Sequence, residues 1–304
     1  MVKQIVELFG VNTERTDVDW NQIVADQHCP FLDKVCYKVR KSDSGKSIGS
    51  CTVSFGRPEP KPIMICPARL VEGGQIFTDC LHLLTLHEPG NELHLVPEVG
   101  IPGGSVDFFL ISVKAGKVVD FVGIELQTLD TTGTVWPARQ RLLNDFGITE
   151  ADQIIEDKSY AMNWKMTSKT ILVQMHHKAE TFEALNRKLV LVVEDRLLNY
   201  MKGEFRFEHT HKPASLTDSV QFHAYGVGDD SAALKLTLVE RISTDADGVS
   251  QSLGMQAESR VELDAIVAAL QARISDLTRF QPVGAAPTAT VADAFGSAAS
   301  DFDD

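Results

Sequence analysis

The sequence predicts an α/β protein, with a mixed central sheet flanked by helices and a small N-terminal module that gathers four cysteines. Three observations predict it. Residues 105–133, SVDFFLISVKAGKVVDFVGIELQTLDTTG, hold two β-rich runs (106–113 and 118–126) around a polar turn containing Gly116. A long helical stretch, residues 164–185, precedes the wholly apolar run LVLVV at 189–193, the order expected of a helix leading into a buried strand. Upstream, Cys29, Cys36, Cys51 and Cys66 fall within a loop-rich segment threaded with basic residues and prolines.

Taken in chain order, residues 1–27 read as a short helix and loop, and residues 28–66 as the cysteine module. Pro58, Pro60 and Pro62 make a stiff connection that cannot continue a helix. A helix is expected over 71–87, ending before the turn Pro89-Gly90-Asn91. The hairpin follows, then a short amphipathic segment at 136–146. The long helix carries His176, His177 and Lys178; adjacent histidines on a helix diverge and make no ligand pair. Runs at 220–227 and 233–242 around Gly228-Asp229-Asp230-Ser231 predict a second hairpin. Residues 259–280 repeat apolar positions at helical spacing, and 283–304 have the small, polar, acidic composition of a disordered tail. The expected division is a cysteine module at 1–70, a core at 71–282 and the tail at 283–304.

The hairpin carries the chemistry. Side chains alternate along a strand, so Glu125 and Gln127 share one face, and Asp107 on the first strand can join them. Carboxylate and amide oxygens suit Mg²⁺, which keeps several waters and completes its shell with substrate phosphate. This predicts metal-dependent phosphodiester hydrolysis. Polar residues on paired strands are also what a solvated face looks like, but Glu125 ends an apolar run, where an unpaired carboxylate is costly. Cys29, Cys36, Cys51 and Cys66 are a donor set for a structural tetrahedral Zn²⁺ or a single iron. Cys80, in a regular apolar run, reads as a buried free thiol.

Together these features resemble the NotI-type restriction endonucleases: the order CPF…C…GSC…CP, then a strand Asp, then GIELQTLDTTG, with IVELFGVNT at the start. The resemblance implies a PD-(D/E)XK-like nuclease core in which Glu-x-Gln replaces the usual Glu-x-Lys. It implies Mg²⁺-dependent, type II site-specific cleavage of double-stranded DNA at a palindromic site by a homodimer, with a cognate DNA methyltransferase as functional partner. By position it assigns Asp107, Glu125 and Gln127 to the active site and the four cysteines to the structural metal. Glu92 takes the upstream carboxylate role, with Glu98 its lower-ranked competitor.

The net charge of −13 weighs against a nucleic-acid partner, since phosphate neutralisation dominates DNA affinity. Net charge does not set local potential, however. The segment 34–46, KVCYKVRKSDSGK, is the basic patch expected to face DNA, with Lys38, Arg40 and Lys41 as phosphate contacts. No apolar run reaches membrane length, and a soluble, cytoplasmic protein is expected. Two other classes fit the same residues: a repair or modification-dependent nuclease, and a non-catalytic metal-containing DNA-binding protein.

Overall fold

The computed structural model describes residues 4–150, 159–228 and 234–254. Its first residues are strands where a helix was expected. β1 (Ile5–Leu8) and β2 (Val11–Asn12) pair across Phe9-Gly10, both at positive φ. Helix α1 (Trp20–Asp26) starts only after Asp19, whose carboxylate accepts from the amides of Asn21 and Gln22. Two short ladders follow, His28–Cys29 with Lys34–Val35 and Val39–Arg40 with Asp43–Ser47. Strands β3 (Ser50–Phe55) and β4 (Lys61–Met64) then complete a four-stranded sheet in the order β2-β1-β3-β4.

The helix expected over 71–87 is broken into a 3₁₀ segment at Pro67–Gly74, α2 (Gln75–Cys80) and a 3₁₀ turn at Leu81–Leu83. Gly73 and Gly74 lie at φ 59° and 69°, and a right-handed helix cannot run through two left-handed residues. The 3₁₀ segment carries Arg69, whose side chain is fully buried. Its Nε donates to both oxygens of Glu7 at 3.0 Å, Nη1 to Glu72 at 2.7 Å and Nη2 to the Leu234 carbonyl at 2.5 Å.

The central sheet is built from β5 (Glu92–Ile101), β6 (Gly104–Lys114), β7 (Lys117–Gln127), β8 (Lys188–Glu194), β9 (Val220–Val227) and β10 (Leu236–Thr244). Its order is β10-β9-β8-β7-β6-β5. The β5-β6-β7 meander is antiparallel, β7, β8 and β9 run parallel, and β10 closes the far edge antiparallel. Ala115 and Gly116 turn the β6–β7 hairpin with φ positive at both, as a two-residue turn requires. Helices α3 (Trp136–Asp145) and α4 (Trp164–Ala184) lead into β8, which α5 (Asp195–Glu204) follows; α6 (Ala246–Ser252) comes after β10.

Burial explains why β8 reads as continuous LVLVV. Leu189, Leu191 and Val193 pack into one core cluster with Ile171, Met175, Ala179 and Phe182 of α4. Val190 and Val192 pack into the other, with Ile76, Cys80 and Leu83. A strand buried on both faces has no polar alternation. Helix α4 approaches the sheet closely over Gly123, where a Cβ would stand 2.3 Å from the Phe182 ring. The helix expected at 259–280 and the tail at 283–304 lie outside the described residues. No described helix is long and apolar enough to cross a membrane.

Candidate active site

The β6–β7 register pairs Phe108 with Ile124, so Asp107 and Glu125 stand opposite each other one step further along. Asp107 is half-buried and its Oδ2 accepts the Leu126 amide at 2.8 Å, a bond that ties the two strands where the carboxylates meet. Glu125 is buried, 4% exposed, and its Oε1 accepts from Lys178 Nζ of α4 at 2.6 Å. Among the described residues, no donor sits on its Oε2. Gln127, two residues on, is half-buried, and its Nε2 donates to the Thr128 carbonyl at 2.6 Å.

Glu98, not Glu92, joins this group. The β5–β6 register sets Val99 opposite Val106 and Pro97 opposite Phe108, which leaves Glu98 across from Asp107. Glu92 opposes Val113, six residues away and roughly 20 Å along the sheet at ~3.3 Å per residue, and it pairs there with His94 at 3.2 Å. The convergence expected of Glu92 therefore fails on strand geometry. Glu98 sits at φ 52° and its charge is felt at Asp107.

Glu98 and Asp107 open into a cleft of about 620 Å³. One wall is Pro97, Glu98, Asp107, Phe108 and Leu126, a second is Pro67, Ala68 and Val71, and the third is Leu32, Lys34 and Tyr37 of the cysteine module. Burial pushes the Glu125 carboxyl up to about 7; Lys178 pulls it down and the Asp107 charge adds to the rise. Burial also raises Asp107, against the Leu126 amide and Lys178 and with Glu98.

Of the basic residues expected to touch phosphate, Lys38 turns inward, its Nζ donating to the Ile65 carbonyl at 2.7 Å. The Arg40 guanidinium lies 4.6 Å over the Trp136 ring, which Arg139 also approaches to 4.5 Å. Lys41 is exposed. Lys34 and Tyr37 reach the cleft instead; neither was singled out from the sequence.

Cys29, Cys36, Cys51 and Cys66 are all buried and line one small cavity with Phe9, Tyr37, Lys38, Gly49 and Ser50. A hydrogen bond from Cys51 pulls the Cys66 thiol down to about 6, helped by the Lys38 charge and by Tyr37. Cys80 stands apart on α2, 3.8 Å from His223 Nδ1, and burial pushes its thiol up to about 12. Among the described residues, no three His, Cys, Asp or Glu side chains are arranged as a metal-binding group. The cysteine donor set suits zinc or iron while its arrangement is not that of ligands. Mg²⁺ asks less of the protein, since one or two carboxylates and a substrate phosphate suffice, and Asp107 with Glu125 meets that requirement.

Residues 20–217 match a family model described as restriction endonuclease NotI. No curated protein matches the chain.

Proposed function

Because the chain belongs to the NotI restriction endonuclease family, it is a type II site-specific deoxyribonuclease, and we propose that Asp107, Glu125 and Gln127, with Glu98, form its cleavage centre on a PD-(D/E)XK-like core. The observation that carries this is the pairing of Asp107 and Glu125 across adjacent strands, with Asp107 and Glu98 lining one cleft.

In this reading Asp107 and Glu125 would hold Mg²⁺. When bound, the ion neutralises charge on the scissile phosphate and activates water. Glu98, exposed on the cleft wall, supports that shell; Glu92 does not. The neutral amide of Gln127 cannot take a proton, so it orients the attacking water by hydrogen bonding. Lys34 and Tyr37 meet the DNA backbone from the opposite wall, and Lys41 extends that contact along the module. Such contacts position the duplex without reading its sequence. One centre cuts one strand, so double-strand cleavage at a palindrome calls for a two-fold pair of chains. A cytoplasmic location with a partner methyltransferase completes the proposal.

The test is digestion of unmodified phage DNA with purified protein and Mg²⁺. A discrete fragment ladder is expected. A smear would point to an unspecific nuclease, and a mobility shift without cuts to a non-catalytic binder.

The pH dependence follows from Glu125. Only the ionised carboxylate holds a cation, and burial delays its ionisation to about 7. Protons therefore compete with metal in the acid range. Apparent Mg²⁺ affinity in the presence of duplex should rise about tenfold from pH 6 to pH 8. Calorimetry that finds it flat across that window would remove Glu125 from the metal shell.

We further propose that the four N-terminal cysteines hold one structural zinc or iron. The donor chemistry and their shared cavity support this, and binding would draw the thiols inward as thiolates. Elemental analysis should give about one metal per chain. Cys29→Ser, Cys36→Ser, Cys51→Ser or Cys66→Ser should release it, and Cys80→Ser should not. Equal metal content in all five variants would reduce the cluster to buried thiols.

A further inference from the structure

We infer that Lys178, on helix α4, is a positioning residue for the cleavage centre: its ammonium clamps the two catalytic strands together and supplies a fixed positive charge beside the carboxylates. This rests on the assignment of Asp107 and Glu125 above.

The geometry is specific. Lys178 Nζ donates to Glu125 Oε1 on β7 and to the Ser105 carbonyl on β6, both at 2.6 Å. Ser105 precedes Asp107 by two residues. One ammonium thus fixes both strands beside the site and occupies one Glu125 oxygen while the other stays without a donor. Both side chains are 5% exposed. A charge so deeply buried persists only with good partners, and three carboxylates, Glu98, Asp107 and Glu125, stand together with Lys178 facing them.

The backbone is shaped to bring the ammonium there. The β5–β6 turn runs through Gly103 at φ 95°, where a Cβ would stand 2.2 Å from the His177 carbonyl oxygen. At Gly104 a Cβ would meet Lys178 Cε at 3.3 Å. Two consecutive glycines let the turn lie directly on α4 at the residue that reaches the site.

Gln127 offers the decisive test. It shares a strand face with Glu125, so Gln127→Lys can return an ammonium to the same carboxylate from the sheet side. The variants are Lys178→Gln and Lys178→Met, each alone and combined with Gln127→Lys. The readouts are plasmid cleavage in Mg²⁺, Mn²⁺ binding in the presence of duplex, duplex affinity in Ca²⁺, and thermal unfolding.

Lys178→Gln should cut about a hundredfold more slowly, the loss typical of removing one preorganised charged contact. Its Mn²⁺ binding should weaken while duplex affinity holds. Adding Gln127→Lys should recover at least about tenfold of the rate, as restored electrostatic preorganisation would. A folded Lys178→Gln that cuts and binds Mn²⁺ like the parent overturns the inference, as does a defect that Gln127→Lys leaves untouched. Should the single variants fail to fold, the double variants decide, because they carry a cation at the site. Cutting by a folded double variant upholds the role, and an inert one overturns it. Asp107→Ala separates the levels: if it is inactive while Lys178→Gln is normal, only the clamp fails; if it cuts normally, the assignment of the centre fails.

Discussion

Asp107→Ala and Glu125→Ala should each abolish cleavage while the protein continues to bind its duplex in Ca²⁺. The two carboxylates stand opposite each other on β6 and β7, with Asp107 lining the cleft, and a negative side chain adds no attraction for phosphate. Removing a ligand of the catalytic cation forfeits several kcal/mol of charge stabilisation in the transition state, about a thousandfold or more in rate. Affinity for DNA, set by cationic contacts elsewhere, changes little. Glu98→Ala should produce a smaller loss, and Glu92→Ala should leave the rate as it was, since Glu92 lies far down β5 beside His94. Gel assays of cleavage and mobility on one plasmid separate the four variants. Full turnover by either of the first two would remove the assigned centre altogether.

Arg69→Ala should lower the free energy of unfolding by about 3–5 kcal/mol, the usual effect of stripping one partner from a buried ion pair. Arg69 joins three distant stretches of chain: Glu7 on β1, Glu72 in its own 3₁₀ segment and the Leu234 carbonyl before β10. Thr52 also donates to Glu7, so the cluster ties β3 into the same network. Without the guanidinium, Glu7 loses the cation against its buried carboxylate, and among the described residues Glu72 keeps only the Leu236 amide. Replacing both partners is milder, because no charge is left behind. Urea unfolding of Arg69→Ala against Glu7→Gln/Arg69→Met measures the difference, and equal losses would mean that the pair is not coupled.

The sequence announced the hairpin, α4 and β8 for identifiable reasons. Runs of β-branched and aromatic residues around Gly116, a 21-residue helix and a doubly buried LVLVV each carry a strong local pattern. Strand β5 gave no such signal. Pro97 and Gly100 interrupt it, and its mostly exposed residues show no buried alternation. That omission also explains the misplaced carboxylate. With β5 unrecognised, Glu92 and Glu98 could be ranked only by distance along the chain, whereas pairing with β6 decides which one meets Asp107. The break at Gly73-Gly74 was written in the sequence as two adjacent glycines and was overridden by the apolar run around them. Lys178 had a readable signature as well. It interrupts the stripe Ile171, Met175, Phe182 that α4 turns to the core, and a charge on such a stripe must meet an opposite one. The inward turn of Lys38 and the stacking of Arg40 on Trp136 had none, since both depend on contacts remote in sequence.

The outer margin of β5 bears on how copies of this protein meet. A strand at a sheet edge presents unpaired amides and carbonyls that can recruit another chain into a continuous ribbon. Pro97 has no amide to offer, and the left-handed backbone at Glu98 interrupts the regular strand conformation while its pairing with β6 continues on either side. The departure that sets a carboxylate at the cleft therefore also spoils this margin as a template for edge-to-edge growth. One local irregularity thus serves both the placing of an acidic side chain and the blunting of an exposed edge.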